Sequence, residues 1–148
     1  MYNVELIKRM VYDKSKDEVL QLLDEVCNAE LLHIFAYNYN WDDGFEIPKR
    51  IILNNKCELS TALMIFYLSG GEDFLLNQQE FTCNNSIDYM DFLQGLYRRI
   101  IDRDFVEGNI LFEPPLNKVK MYKLKKVLTA EELIFIQYMG ELNCNVSI

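Results

Sequence analysis

Positive charge is scarce in this sequence. Its 148 residues hold 15 Lys and Arg against 23 Asp and Glu, a net charge of −8 with the single histidine neutral. Clustered cations carry affinity for nucleic acid and for anionic lipid, so neither partner is expected. Long apolar runs are also missing. The longest, Ala62-Leu-Met-Ile-Phe-Tyr-Leu68, falls far short of the roughly 20 residues that cross a bilayer. The opening Met1-Tyr-Asn-Val-Glu-Leu-Ile-Lys-Arg-Met10 has no basic region followed by an apolar stretch, so no secretory signal is read there and the expected compartment is the cytoplasm. The four cysteines stand at 27, 57, 83 and 144, with no C-x-x-C pair. A zinc ribbon and a thioredoxin-type dithiol are thereby excluded, and buried free thiols are expected. His33 is the one histidine, and no Ser or Cys beside it sits in a recognisable nucleophile setting. With the partners of a triad missing, a structural histidine and a protein that is not an enzyme are the expectation.

What the chain has in quantity is core. Hydrophobic residues make up 50% and aromatic residues 13% of it, which speaks against disorder. A chain of this length forms one domain, here 1–148, and buries about two thirds of its unfolded surface. Helical spacing of apolar residues appears at Val4, Leu6, Ile7, Met10 and Val11. Ser15 and Glu18 form a capping box ahead of a helix over 16–27. A third helix is read over about 29–38, and a short one starts near Pro48 and stops at Asn54-Asn55. Leu59 to Leu68 is apolar on nearly every face and ends at Gly70-Gly71. Ser86 opens a helix that carries Ile87, Met90, Leu93, Leu96, Tyr97, Ile100 and Ile101 on one face, and Thr129 with Glu132 predicts another over 130–139. The segment 109–128, broken by Pro114-Pro115 and alternating at Val119 to Leu124, reads as a loop or a small β-hairpin. The fold class is mainly α, a compact multi-helix bundle or stacked helix pairs.

The most distinctive stretch is Tyr37-Asn-Tyr-Asn-Trp-Asp-Asp-Gly-Phe-Glu-Ile-Pro48. Turn chemistry explains much of it: Asn40 or Asp42 satisfies free backbone groups, Gly44 supplies a positive φ, and Trp41 and Phe45 plug the core. The functional reading makes Trp41, Asp42, Asp43 and Glu46 a recognition surface, since aromatics flanked by charge are common in hot spots. Glu72 and Asp73, which follow Gly70-Gly71, would repel phosphate, so no phosphate cradle forms there. They suit the positive end of a helix dipole, and as acids they join the candidate contact surface. The spacing of Asp42, Asp43 and Glu46 does not fit a calcium loop, so no metal and no cofactor are expected.

The charge is also polarised. Lys118, Lys120, Lys123, Lys125 and Lys126 have no acid among them, and removing 118–126 leaves 10 cations against 23 anions. The lysine run reads as a solvated face, or as a nucleic-acid patch with Tyr122 as a stacking ring. The acidic remainder suits a basic protein partner.

From about Glu30 to Leu76 the chain resembles a bacterial family of unknown function, number 4274. The matching residues are Leu31-Leu-His-Ile-Phe-Ala-Tyr-Asn-Tyr-Asn-Trp-Asp-Asp-Gly44, then Pro48, Asn54, Cys57, Leu59 and Thr61-Ala-Leu-Met-Ile-Phe-Tyr67. The resemblance implies a small helical protein, and through some members it implies a toxin-immunity protein. The expected function is then direct docking on a basic toxin domain through Trp41, Asp42, Asp43, Glu46, Glu72 and Asp73. The alternative is a non-catalytic helical scaffold or adaptor.

Overall fold

Short polar caps and apolar stripes set nine α-helices and two 3-10 turns within residues 4–148, the part described by this computed structural model. Helix α1 (Val4–Tyr12) buries Ile7 and Met10. Helix α2 (Lys16–Glu25) is opened by the expected capping box, in which the Ser15 hydroxyl accepts from Glu18 N–H and the Glu18 carboxylate accepts from Ser15 N–H. Asn28 caps α3 (Ala29–Asn38), and a 3-10 turn at Trp41–Asp43 leads into α4 (Glu46–Leu53) with Pro48 in its first turn. Helix α5 (Leu59–Leu68) follows, closed by Gly70 at φ 96° in the left-handed region. Two short helices, α6 (Gly71–Leu76) and α7 (Gln78–Cys83), separate it from α8 (Ile87–Ile101), which Ser86 caps.

Helix α5 sits at the centre because it is apolar on every face, and such a helix must be covered on every face. It packs on α3, α6 and α8, while α1 leans on α3 and α2 on α4. Phe66 on α5 meets Phe135 at 4.6 Å between ring centroids and Phe74 at 6.5 Å. Phe135 in turn stacks on Tyr97 of α8 at 5.4 Å. The core therefore runs from the first helices into the C-terminal third. No helix among the described residues is long and apolar enough to cross a membrane.

The structure corrects the sequence in three places. The segment 109–128 is not a hairpin: an extended stretch is followed by helix α9 (Lys118–Val127), capped by the Asn117 side chain on Lys120 N–H. The alternation at 119–124 misleads because the exposed sides of α9 are mixed, with Leu124 its one fully buried residue. The Thr129–Glu132 capping box forms but opens only a 3-10 turn, Glu131–Ile136. Tyr67 OH of α5 donates to Phe135 O in that turn at 2.6 Å, and beyond the turn the chain pairs with the extended stretch, where Met139 N–H goes to Phe112 O at 3.1 Å rather than back into a helix. The cysteines are free, but only Cys57 is buried. Cys27 and Cys83 are exposed and Cys144 is half-buried.

Candidate functional site

Two places gather the candidate residues. The first is the Trp41 turn. Asn40 Oδ1 accepts from Asp42 N–H at 3.1 Å, and Asn40 O accepts from Asp43 N–H at 3.0 Å. Tyr39, buried, donates from its hydroxyl to Gly44 O at 2.6 Å and closes the loop. Gly44 takes φ 91°, as the turn requires. Burial, with Asp43 and Glu46 nearby, pushes the Tyr39 phenol up to about 12. The turn chemistry expected of this stretch is thus present. Trp41 lies half-buried, edge-on to Tyr39 at 5.4 Å and tilted against Phe92 at 6.0 Å. Phe45 stacks between Tyr89 and Phe92. Asp42, Asp43 and Glu46 face solvent around this aromatic plug, and Glu46 meets Lys16 at 3.2 Å.

Glu72 and Asp73 diverge, as neighbours on a helix do. Asp73 is exposed, and its charge adds to burial in raising the Tyr89 phenol, so it lies toward the Phe45–Tyr89 stack. Glu72 points the other way, to Lys120 of α9 at 3.5 Å and into a cavity.

That cavity, of about 480 Å³, is the second place. One wall comes from α3, α5 and α6 through His33, Met64, Tyr67 and Glu72. The opposite wall comes from the extended stretch and the C-terminal residues through Phe112, Glu113 and Cys144. Specific bonds hold the second wall in position. The buried Glu58 carboxylate accepts from Ile110 N–H at 3.0 Å, Phe112 N–H donates to Met139 O at 2.8 Å, and Asn38 Nδ2 donates to Val146 O at 2.8 Å.

His33 forms the cavity floor and is 6% exposed. Burial drives its pKa down to about 4, so the ring is neutral near pH 7. Its Nδ1 lies 2.8 Å from Thr61 Oγ1, and Thr61 is wholly buried. That nitrogen is the sole partner of the Thr61 hydroxyl among the described residues, so pairing the hydroxyl proton makes Thr61 the donor. Nε2 then carries the ring proton. It has no partner among the described residues and opens on the cavity. The sequence offered one signal for this pair: a threonine inside an otherwise apolar helix needs a hydrogen-bond partner. Nothing in the sequence marked Glu113, and Tyr67 was marked only as the end of the stretch that carries the family resemblance. No group of acids, histidines and cysteines among the described residues is arranged to hold a metal ion.

The model of the family described as Domain of unknown function (DUF4274) matches residues 27–101, 75 of the 148 residues. The chain belongs to this family. No curated protein and no solved structure matches it. The DUF4274 segment contains the whole Trp41 turn and the first wall of the cavity, and the second wall lies outside it. Several residues of the matched segment are structural in this fold. Tyr39 closes the turn, Asn54 Nδ2 donates to Leu23 O at 2.8 Å and Val26 O at 3.0 Å at the end of α2, and Thr61 fixes the His33 tautomer.

Proposed function

We propose that this DUF4274 protein acts by binding rather than catalysis, and most concretely as a cytoplasmic immunity protein that docks on a basic bacterial toxin domain and neutralises it. The observation that carries the reading is the pair of exposed carboxylates, Asp42 and Asp43, on a turn whose backbone is already closed by Asn40 and Tyr39. Charge held on a rigid turn loses little conformational freedom on docking, and a net charge of −8 steers a basic partner toward it. Trp41 and Phe45 give the turn a fixed aromatic base. Burial drives the His33 pKa down to about 4, which makes its free nitrogen a weak general base near neutral pH and favours binding over catalysis.

Co-expression with the toxin encoded by the neighbouring gene tests this. The wild-type protein restores growth and forms a complex in a pull-down, and Asp42→Lys with Asp43→Lys, folded by circular dichroism, loses affinity by about tenfold or more. Continued killing with no complex ends the reading. A scaffold role rests instead on α9, whose Val119, Tyr122 and Val127 side chains are exposed. A partner held equally by wild type and the double-lysine variant, and lost on Tyr122→Ala, would favour the scaffold.

A further inference from the structure

The docking reading makes no use of the His33 cavity, and the cavity is built as a site in its own right. Its floor presents the Nε2–H of a neutral, nine-tenths buried imidazole, a donor with no partner among the described residues. Its sides are the apolar faces of Met64, Tyr67 and Phe112. Two carboxylates complete it. Glu113 is exposed and forms no ion pair among the described residues, and Glu72 is three-quarters covered, with its only charge partner Lys120 reaching in from α9 at 3.5 Å. Lys120 is half-exposed on a helix held at that end by an Asn117 cap, so its ammonium swings away at little cost. The chain's own lysine thus marks where a cation goes.

We propose that this cavity binds a small organic cation: an amine or guanidinium group carried on an aromatic or aliphatic body, whose far end accepts a hydrogen bond from His33 Nε2. The cation replaces Lys120 at Glu72, with Glu113 adding to the field. The body lies against Tyr67 and Phe112, and the acceptor meets the floor. A concave, mostly apolar pocket with a few converging polar groups is the usual form of a small-ligand site. Orientation follows from the two ends: an anion is repelled at the carboxylates, and a body without an acceptor leaves the Nε2–H unpaired. None of the lining residues lies on the Trp41 turn, and Glu72 belongs to the cavity and not to that turn, so this site and the docking surface of Asp42 and Asp43 stand or fall separately.

The sole histidine makes a clean reporter. The probe is tyramine, an ammonium on an aromatic ring with a phenol oxygen at the far end. It is titrated into the full ¹⁵N-labelled chain while the imidazole nitrogens are followed by NMR. In the free protein the proton is found on Nε2, and tyramine moves that resonance saturably. Glu72→Gln weakens the binding by about tenfold, the scale of a charge-assisted contact. Lys120→Met, which removes the internal competitor, tightens it several-fold. The anion 3-(4-hydroxyphenyl)propionate leaves the resonance where it was. The proposal is overturned by a proton on Nδ1, by no saturable shift with tyramine, by equal shifts with the anion, or by unchanged affinity in both variants. Tighter binding of Nα-acetyl-lysine amide than of tyramine would assign the cavity to a partner's lysine side chain and remove the small-molecule source.

Discussion

The Trp41 turn and the His33 cavity each hold one ring N–H without a partner, and they hold it differently. Trp41 Nε1 is sealed, buried with no acceptor among the described residues. His33 Nε2 opens on a volume large enough for a ligand. The first is the cost of wedging an indole under a turn whose other polar groups are already satisfied by their neighbours. The second is a donor that the fold supplies and does not use. An orphaned polar group therefore points to a ligand only when space is built around it. The two regions also differ in origin, since the turn lies wholly inside the DUF4274 segment and the cavity is finished by residues beyond it. The chain has one tryptophan and one histidine, so each region carries its own spectroscopic reporter.

The strongest way to break the contrast is to remove the side chain that ties the C-terminal third to the core. Phe135 is fully buried against Phe66 and Tyr97. Phe135→Ala is expected to cost about 3–5 kcal/mol, read from urea unfolding. In the folded variant the His33 resonances shift while Trp41 fluorescence holds, because the Phe135 ring packs on Phe66 of α5, the helix that brings Thr61, Met64 and Tyr67 to the cavity, and stacks on no ring of the turn. A loss under about 1 kcal/mol would mean that the C-terminal third is appended to the core and not part of it.

Next in size is the pH dependence. His33 is held neutral, its pKa lowered from 6.5 to about 4. The unfolded chain therefore binds the proton that the folded chain refuses. Stability is complete above about pH 6.5 and falls as pH drops toward about 4, by about 3 kcal/mol in all. His33→Gln flattens this window. Glu132 acts lower down. Burial alone would raise its carboxyl, but bonds from Thr129 N–H, Tyr97 OH at 2.6 Å and Gln78 Nε2 at 2.6 Å outweigh that and hold it below 4.5. Its contribution is present above 4.5 and is lost below, so Glu132→Gln alters the acid end of the profile and leaves the His33 window unchanged.

These windows show what could and could not be read from the sequence. Caps made by Ser15 and Ser86 act over three residues, and a short-range pattern reveals them. The Tyr39–Gly44 closure is similarly local. The cavity depends on contacts 28 residues apart at His33–Thr61 and 108 apart at Asn38–Val146, and no spacing rule reaches that far. Residues 119–124 misled for another reason. On an exposed helix with one buried leucine, alternation and helical period are not separable by pattern.

The third test returns to the turn. Trp41→Phe removes the sealed N–H, a gain, and shrinks a ring that fills space against Tyr39 and Phe92, a loss. The two terms are of similar size, so the net change in unfolding free energy is expected to stay under about 1.5 kcal/mol. A larger loss would show that the indole does more than plug the core. The His33 spectrum stays as it was, because the two regions share no side chain.

The smallest expected effect is also the one that isolates docking from folding. Glu46 is exposed and pairs with Lys16 at 3.2 Å, and both side chains are largely in solvent. Such a pair contributes about 0.5 kcal/mol or less, because water screens the charges and two long side chains lose freedom in meeting. Glu46→Gln should therefore leave the urea midpoint, the Trp41 emission and the His33 spectrum almost unchanged. If the acidic rim of the turn receives a basic partner, the same substitution slows association and weakens its salt dependence, since a rim charge acts mainly on the rate of encounter. A folded, equally stable Glu46→Gln protein whose association rate and salt dependence match those of wild type would remove Glu46 from the docking surface and confine that surface to Asp42 and Asp43.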